Sequence, residues 1–199
     1  MGIPKLKLKI SVEDYLEGEK VSQIKHEYID GEVYAMAGTS KSHNRIIGNL
    51  IEKLKGQLRG SDCEPFFVDI KVRVEKMNRF YYPDIVVVCG EDDEDDYYAV
   101  KPKLIVEVLS PRTSLTDRRE KMFAYKEIES LEEYVLIEQE RMYAEIYRRR
   151  EGDGGLWDWI EYEADEEIDF ASVDFKMPMA EIYAGVQMPE LKDWERRNL

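Results

Sequence analysis

Apolar positions along the chain recur first at helical spacing, then as alternating or continuous short runs, and then in a mixed order that returns to strands. Ser11, with Asp14 three residues later, resembles a capping box and opens a short helix to about Leu16. In the segment KHEYIDGEVYAMA, Asp30-Gly31 sits between Tyr28-Ile29 and Val33-Tyr34, which predicts a tight hairpin. Ile46, Ile47, Leu50, Ile51, Leu54 and Leu58 then recur every three to four residues. They predict a long helix, capped by Thr39 or Ser40 and ended by Gly60.

Three strand-like runs follow, FFVDIKVRVE (66–75), FYYPDIVVVC (80–89) and PKLIVEVLS (102–110), all rich in β-branched residues. Ser110-Pro111 stops the third. A helix is expected from about Thr116-Asp117 to Ile128, carrying Met122, Phe123 and Tyr125, and two more strands at 132–138 and 141–150. The tail reads as weak strands at 156–162 and 168–175, a helical turn near Pro178–Tyr183 and a polar end. The pattern predicts an α/β (α+β) domain: a central mixed sheet flanked by helices in the order helix-strand-strand-strand-helix-strand, with an N-terminal hairpin and C-terminal strands. With no repeat or Pro/Ser linker, residues 1–199 read as a single domain with its core at about 10–185.

Charge narrows the partners. The chain has a formal net charge of −14, which disfavours phosphate binding on its own. The acids are unevenly spread. Residues 91–96 hold six and residues 151–169 hold nine with no base, together −15, so the remainder of the chain is near +1. Both runs read as solvated loops or edges. No apolar stretch of 18 residues and no signal-like leader is present, so the protein is expected in the cytoplasm with no membrane partner. Cys63 and Cys89 are too few for a disulfide framework or a thiolate zinc site and are expected as free thiols.

Glu107 carries the most chemical information. It lies in Leu104-Ile105-Val106-Glu107-Val108-Leu109, a run apolar on both faces, where a carboxylate must be protonated, paired with a base or bound to a metal. Asp84, which opens the apolar run Ile85–Cys89, is the natural second carboxylate. If the two strands are neighbours, both side chains converge at one sheet end as hard oxygen ligands for Mg2+ or Mn2+. A purely structural Glu107, paired with Lys or Arg, is the competing account.

Pro83-Asp84, Glu107 about twenty residues on, and the order of elements resemble the PD-(D/E)XK nuclease superfamily. More narrowly, EYIDGEVYAM, SHNRIIGNL, YYPDIVVV, PKLIVEVLSPRT, DRREKMFAYK and EEYVLIE, in that order, are similar to the Uma2 family of restriction-endonuclease-like proteins. The resemblance implies a restriction-endonuclease-like core and a metal-dependent endonuclease acting on DNA. The superfamily's Lys two residues after the acid is Leu109 here. Lys121 is the candidate replacement, because the family pattern of Asp, Lys and Tyr on the following helix is matched by Asp117, Lys121 and Tyr125, four apart and on one helix face. A solvated Asp117–Lys121 pair is the alternative, and Lys103, two rungs from Glu107, ranks lower. By the same resemblance Glu32, just after the hairpin turn, helps hold the metal, and His43 transfers a proton or contacts phosphate.

Lys41, Arg45, Lys53, Lys55 and Arg59, and then Arg112, Arg118, Arg119 and Lys126, are the candidate DNA contacts; residues 101–126 carry seven bases against three acids. Two further functions stay open: a nuclease-fold binding module without turnover, favoured by Leu109 and the net acidity, and a homodimer built on strand edges near Tyr143, Ile146 and Tyr147.

Overall fold

The structure, a computed structural model, describes residues 9–90, 95–111, 113–152 and 155–189. Most of the acidic run 91–96, Arg112, most of the basic N-terminal stretch and the polar end lie outside them. In chain order the elements are α1 (Val12–Val21), β1 (His26–Ile29), β2 (Glu32–Ala35), α2 (Lys41–Gln57), β3 (Cys63–Phe67), β4 (Lys71–Val74), β5 (Arg79–Tyr81), β6 (Ile85–Cys89), β7 (Tyr98–Ala99) and β8 (Pro102–Leu109). A π-helical turn (Thr116–Lys121) runs into α3 (Met122–Tyr125). Then come β9 (Glu133–Glu138), β10 (Tyr143–Arg149), β11 (Trp157–Glu163), β12 (Glu167–Phe170), β13 (Phe175–Pro178) and α4 (Met179–Ile182).

Local chemistry explains the punctuation. The Ser11 side chain accepts from Asp14 N at 3.0 Å and its hydroxyl donates to the Asp14 carboxylate, so α1 starts where expected but continues to Val21. Ser40 caps α2 by accepting from His43 N at 3.1 Å. The hairpin turn places Asp30 at φ +44° and Gly31 at φ +91°, the left-handed pair that a two-residue loop requires.

The strands form a six-stranded mixed sheet, β11-β10-β9-β8-β6-β3, a five-stranded sheet, β2-β1-β5-β4-β7, and a two-stranded β12-β13 hairpin. In the larger sheet β3, β6 and β8 are antiparallel, and β9 returns parallel to β8 after the π turn and α3. The expected order of helix, three strands, helix and strand is therefore present as α2, β3, β6, β8, α3 and β9. Two of the predicted strands are each cut in two. The run 66–75 breaks at Val68 and Asp69, both left-handed at φ +53° and +72°, and the run 80–89 breaks at Pro83, whose missing N–H cannot continue a ladder. At each break the chain crosses between the two sheets, so Asp84 stands at a corner and not inside a strand.

Alternation along the larger sheet builds two cores. Leu104, Val106 and Val108 join Ile85, Val87 and the apolar stripe of α2 on one face, closed by Phe170, Phe175 and Met179. Ile105, Leu109, Tyr134 and Leu136 face Val72, Val74 and Tyr81 of the smaller sheet and Tyr125 on the other. Burying a side chain of this size stabilises by roughly 1.5–3 kcal/mol.

Two expectations are corrected here. Cys63 and Cys89 are joined by a disulfide, not free. They are register partners on β3 and β6, a pairing hidden in sequence by the excursion through β4 and β5. The sequence separation of 26 between the cysteines corresponds to about 3.5 kcal/mol of chain-entropy stabilisation. Reduction, or Cys63→Ser, should therefore lower the melting temperature by roughly 10 °C, readable by calorimetry with and without reductant. The strand edges also differ from the expected ones. Tyr143, Ile146 and Tyr147 lie on β10, which is paired on both sides by β9 and β11, so they offer no edge to a second chain. Among the described residues, the edge on that side of the sheet belongs to β11, the strand read as weak, and the opposite edge to β3.

Candidate active site

Glu107 points from β8 into the core shared with the smaller sheet, between Ile105 and Leu109, and is 4% exposed. It does not stand alone there. The π turn brings Lys121 to the same place, with its Nζ 3.0 Å from Glu107 Oε1, 3.0 Å from Glu27 Oε1 and 3.3 Å from Asp117 Oδ1. Tyr125 OH donates to Glu107 Oε1 at 3.4 Å, and Tyr134 OH donates to the carbonyl of Asp117 at 3.1 Å. Met122 N–H reaches back five residues to that same carbonyl, the bond that widens the turn; such turns cluster at functional sites.

The sequence offers Asp117 and Lys121 as a pair that could be solvated. The structure has the pair, but Lys121 is 6% exposed and bonded to two further acids, so an exposed lysine of little structural weight is ruled out. Burial alone would lower the Lys121 ammonium's pKa; Glu107, Glu27 and Asp117 outweigh it and hold it well above its ordinary value. Burial raises Glu107 well above the usual carboxylate range, Asp117 and Asp84 add to the rise, and Lys121 opposes it. Burial, reinforced by Glu107, likewise raises the Tyr125 hydroxyl.

Asp84 caps the corner before β6. Its Oδ2 accepts from Val108 N at 2.7 Å and lies 3.2 Å from His43 Nε2, so it is fixed to the strand that carries Glu107 and to the first turn of α2. His43 is buried, and its Nδ1 has no hydrogen-bond partner among the described residues. Glu27, His43, Asp84, Glu107, Asp117 and Lys121 all line one cleft of about 880 Å³.

Glu32 does not join them. It is absent from the lining of this cleft and accepts from Tyr34 OH at 2.8 Å at the far end of the hairpin. The hairpin acid that reaches the cluster is Glu27. Strand alternation held the signal: Glu27 shares a face with Ile29, which packs against the core beside Tyr81 and Tyr125. Gln139 was also missed. It follows β9, lines the cleft, and accepts from Ser40 Oγ at 2.8 Å, which ties the α2 cap to the strand beside β8. Lys103 pairs with Glu132 at 3.6 Å and stays outside.

A model of the Uma2 family, described as "putative restriction endonuclease", matches residues 12–180. The chain belongs to the Uma2 family. Two Synechocystis proteins, both named as uncharacterized, are similar to it: slr1290 is 33% identical over 179 residues, covering 89% of this chain and 93% of that protein. The second, sll1609, is 32% identical over 143 residues, covering 70% and 81%. The crystal structure of a "putative nuclease belonging to DUF820" from Anabaena variabilis superposes with a TM-score of 0.71 at 16% identity, covering 89% of this chain and 99% of that one. The Uma2 chain thus has the restriction-endonuclease-like fold that its order of elements predicts. Among the described residues, no helix is long and apolar enough to cross a membrane.

Proposed function

We propose that this Uma2 protein hydrolyses phosphodiester bonds in DNA with a divalent ion, Mg2+ or Mn2+, held by Asp84 and Glu107. The observation that carries this reading is the charge of the cleft: five carboxylates, Glu27, Asp69, Asp84, Glu107 and Asp117, line it against only Lys25 and the deeply buried Lys121 among the described Lys and Arg residues. Such an excess of acid is costly without a further cation. The donor chemistry fits a hard ion. Glu27 Oε1 and Asp117 Oδ1 lie within ion-pair distance of Lys121 yet have no hydrogen-bond partner among the described residues, so the ammonium does not satisfy the cluster. Among those residues no three His, Cys, Asp or Glu side chains form a complete ligand group. Two carboxylates, with water and phosphate oxygens, suit Mg2+, which keeps much of its hydration shell.

Such an ion, when bound, supplies water activation and neutralises charge on the phosphate. The chain's own groups do the rest. Val108 N–H and His43 hold the Asp84 rotamer, and Tyr125 and Lys121 hold Glu107. Lys121 brings a positive charge beside the carboxylate that would face the phosphate, replacing the lysine lost at Leu109. His43, with Nε2 on Asp84, is placed to contact phosphate or pass a proton.

A binding module without turnover is the second reading, favoured by the direct Lys121–Glu107 bond, which neutralises the acid internally. Incubation of the full-length protein with labelled DNA separates the two. Cleavage in Mn2+ that stops with excess EDTA supports hydrolysis, and intact DNA in Mg2+ and Mn2+ across pH 6–9 supports the binding module.

A further inference from the structure

The floor of the cleft is charged, but its rim is apolar and open. Ile24, Tyr34, Met36 and Val68 line it and are between 38% and 54% exposed. Tyr34 is the register partner of Glu27 across the hairpin, so the two side chains share one face of the small sheet with Cβ atoms roughly 4.5–5.5 Å apart. Glu27 touches Lys121, so an exposed aromatic ring adjoins the charged cluster. Val68 is a β-branched residue held at φ +53°, a strained conformation, with its N–H on the Asp84 carbonyl at 3.4 Å. The strain sets an apolar side chain at the lip beside the Asp84 corner.

The cations tell the other half. Only two bases, Lys25 and Lys121, are among the described residues lining the cleft, and both are paired, Lys25 with Asp69 at 3.6 Å. Of the bases expected to meet DNA, Lys53 is paired with Glu181, Arg118 with Glu138 and Glu145, and Lys126 lies over Tyr147 and Trp157. Lys41 and Arg45 remain beside the cleft, lining a shallow depression that shares Thr39, Ser40 and Asn44 with it. Duplex binding draws its affinity from many phosphate contacts, and the described residues that line the cleft offer few cations for them. Single strands are instead held by bases stacked on exposed rings beside a few cations, with stacking on one ring contributing roughly 5- to 150-fold in affinity.

We infer that the substrate enters as an unpaired strand, with one base stacked on Tyr34 against Met36, Ile24 and Val68 and the backbone directed toward Lys41 and Arg45. The inference rests on the nuclease reading for what happens next, but not for the binding itself. Fluorescence anisotropy with the full-length protein in EDTA and low salt should show a labelled 20-nucleotide single strand bound at least about 10-fold more tightly than the matching blunt duplex. Tyr34→Ala should weaken single-strand binding by about 10-fold. Tyr34→Phe should restore it, and Trp159→Ala, exposed on the distant β11, should change nothing. Equal affinity for duplex and single strand, or a Tyr34→Ala protein that binds like wild type, overturns the inference. A cleavage arm in Mn2+ keeps the two claims apart. If nothing is cut while the Tyr34-dependent preference persists, the nuclease reading fails and the rim assignment stands. If duplex is cut faster than single strand and Tyr34 is indifferent, the nuclease reading stands and the rim assignment fails.

Discussion

Asp84→Asn should lower metal-dependent cleavage by more than about 100-fold while leaving the melting temperature within about 3 °C of wild type. The amide oxygen can still accept from Val108 N–H, and His43 can adjust its tautomer to the amide, so the corner keeps its hydrogen bonds. What is lost is the negative charge that a hard cation needs. Loss of a group that merely supports a ligand typically costs 10- to 100-fold, so loss of a ligand should exceed that. Single-turnover cleavage read beside a thermal melt checks both halves of the expectation. A variant that melts like wild type and cuts like wild type would remove Asp84 from the metal site.

Lys121→Ala should be both inactive and unstable, and the second effect separates this account from that of an exposed helical lysine. Removing the ammonium leaves Glu107, Glu27 and Asp117 facing one another in a buried space. Breaking a buried ion pair from one side costs about 3–5 kcal/mol, which for a chain of this size is roughly 10–15 °C in melting temperature. Lys121→Met keeps the length of the stem and should recover little, because the loss is of charge. Millimolar Mn2+ should raise the melting temperature of Lys121→Ala more than that of wild type, since the uncompensated acids bind the ion and the folded state gains by mass action. Lys103→Ala, whose partner is the exposed Glu132, should change neither stability nor activity appreciably. A Lys121→Ala protein that melts like wild type would contradict the buried cluster.

Much of the scaffold is legible in the residues themselves. Ser40 and the 3–4 spacing from Ile46 to Leu58 define α2, Asp30-Gly31 defines the hairpin, and the apolar run around Glu107 defines the central strand. In each case local chemistry and tertiary structure agree. The breaks within the two long strand runs are less legible, because Val68 adopts a left-handed conformation that its side chain disfavours and that only the crossing between sheets explains. The disulfide depends on the antiparallel register of β3 with β6, a long-range fact. The same is true of the ion cluster. The sequence places Glu107, Asp84, His43 and Lys121 in one neighbourhood, and the structure gathers all four around the cleft. It also selects Glu27 over Glu32, and it buries Lys121, because the hairpin folds over the π turn from some ninety residues away. Three of the bases offered as DNA contacts, Lys53, Arg118 and Lys126, are engaged by carboxylates or rings, which composition alone cannot foresee.

The central claim is that Asp84 and Glu107 share a divalent ion. Crystals soaked in Mn2+ and measured for anomalous scattering test it most directly. The account predicts one strong peak within about 2.0–2.6 Å of a carboxylate oxygen from each residue, absent from Asp84→Asn crystals treated alike. A soak that leaves the cleft without a peak, or that places manganese on surface acids only, would contradict it.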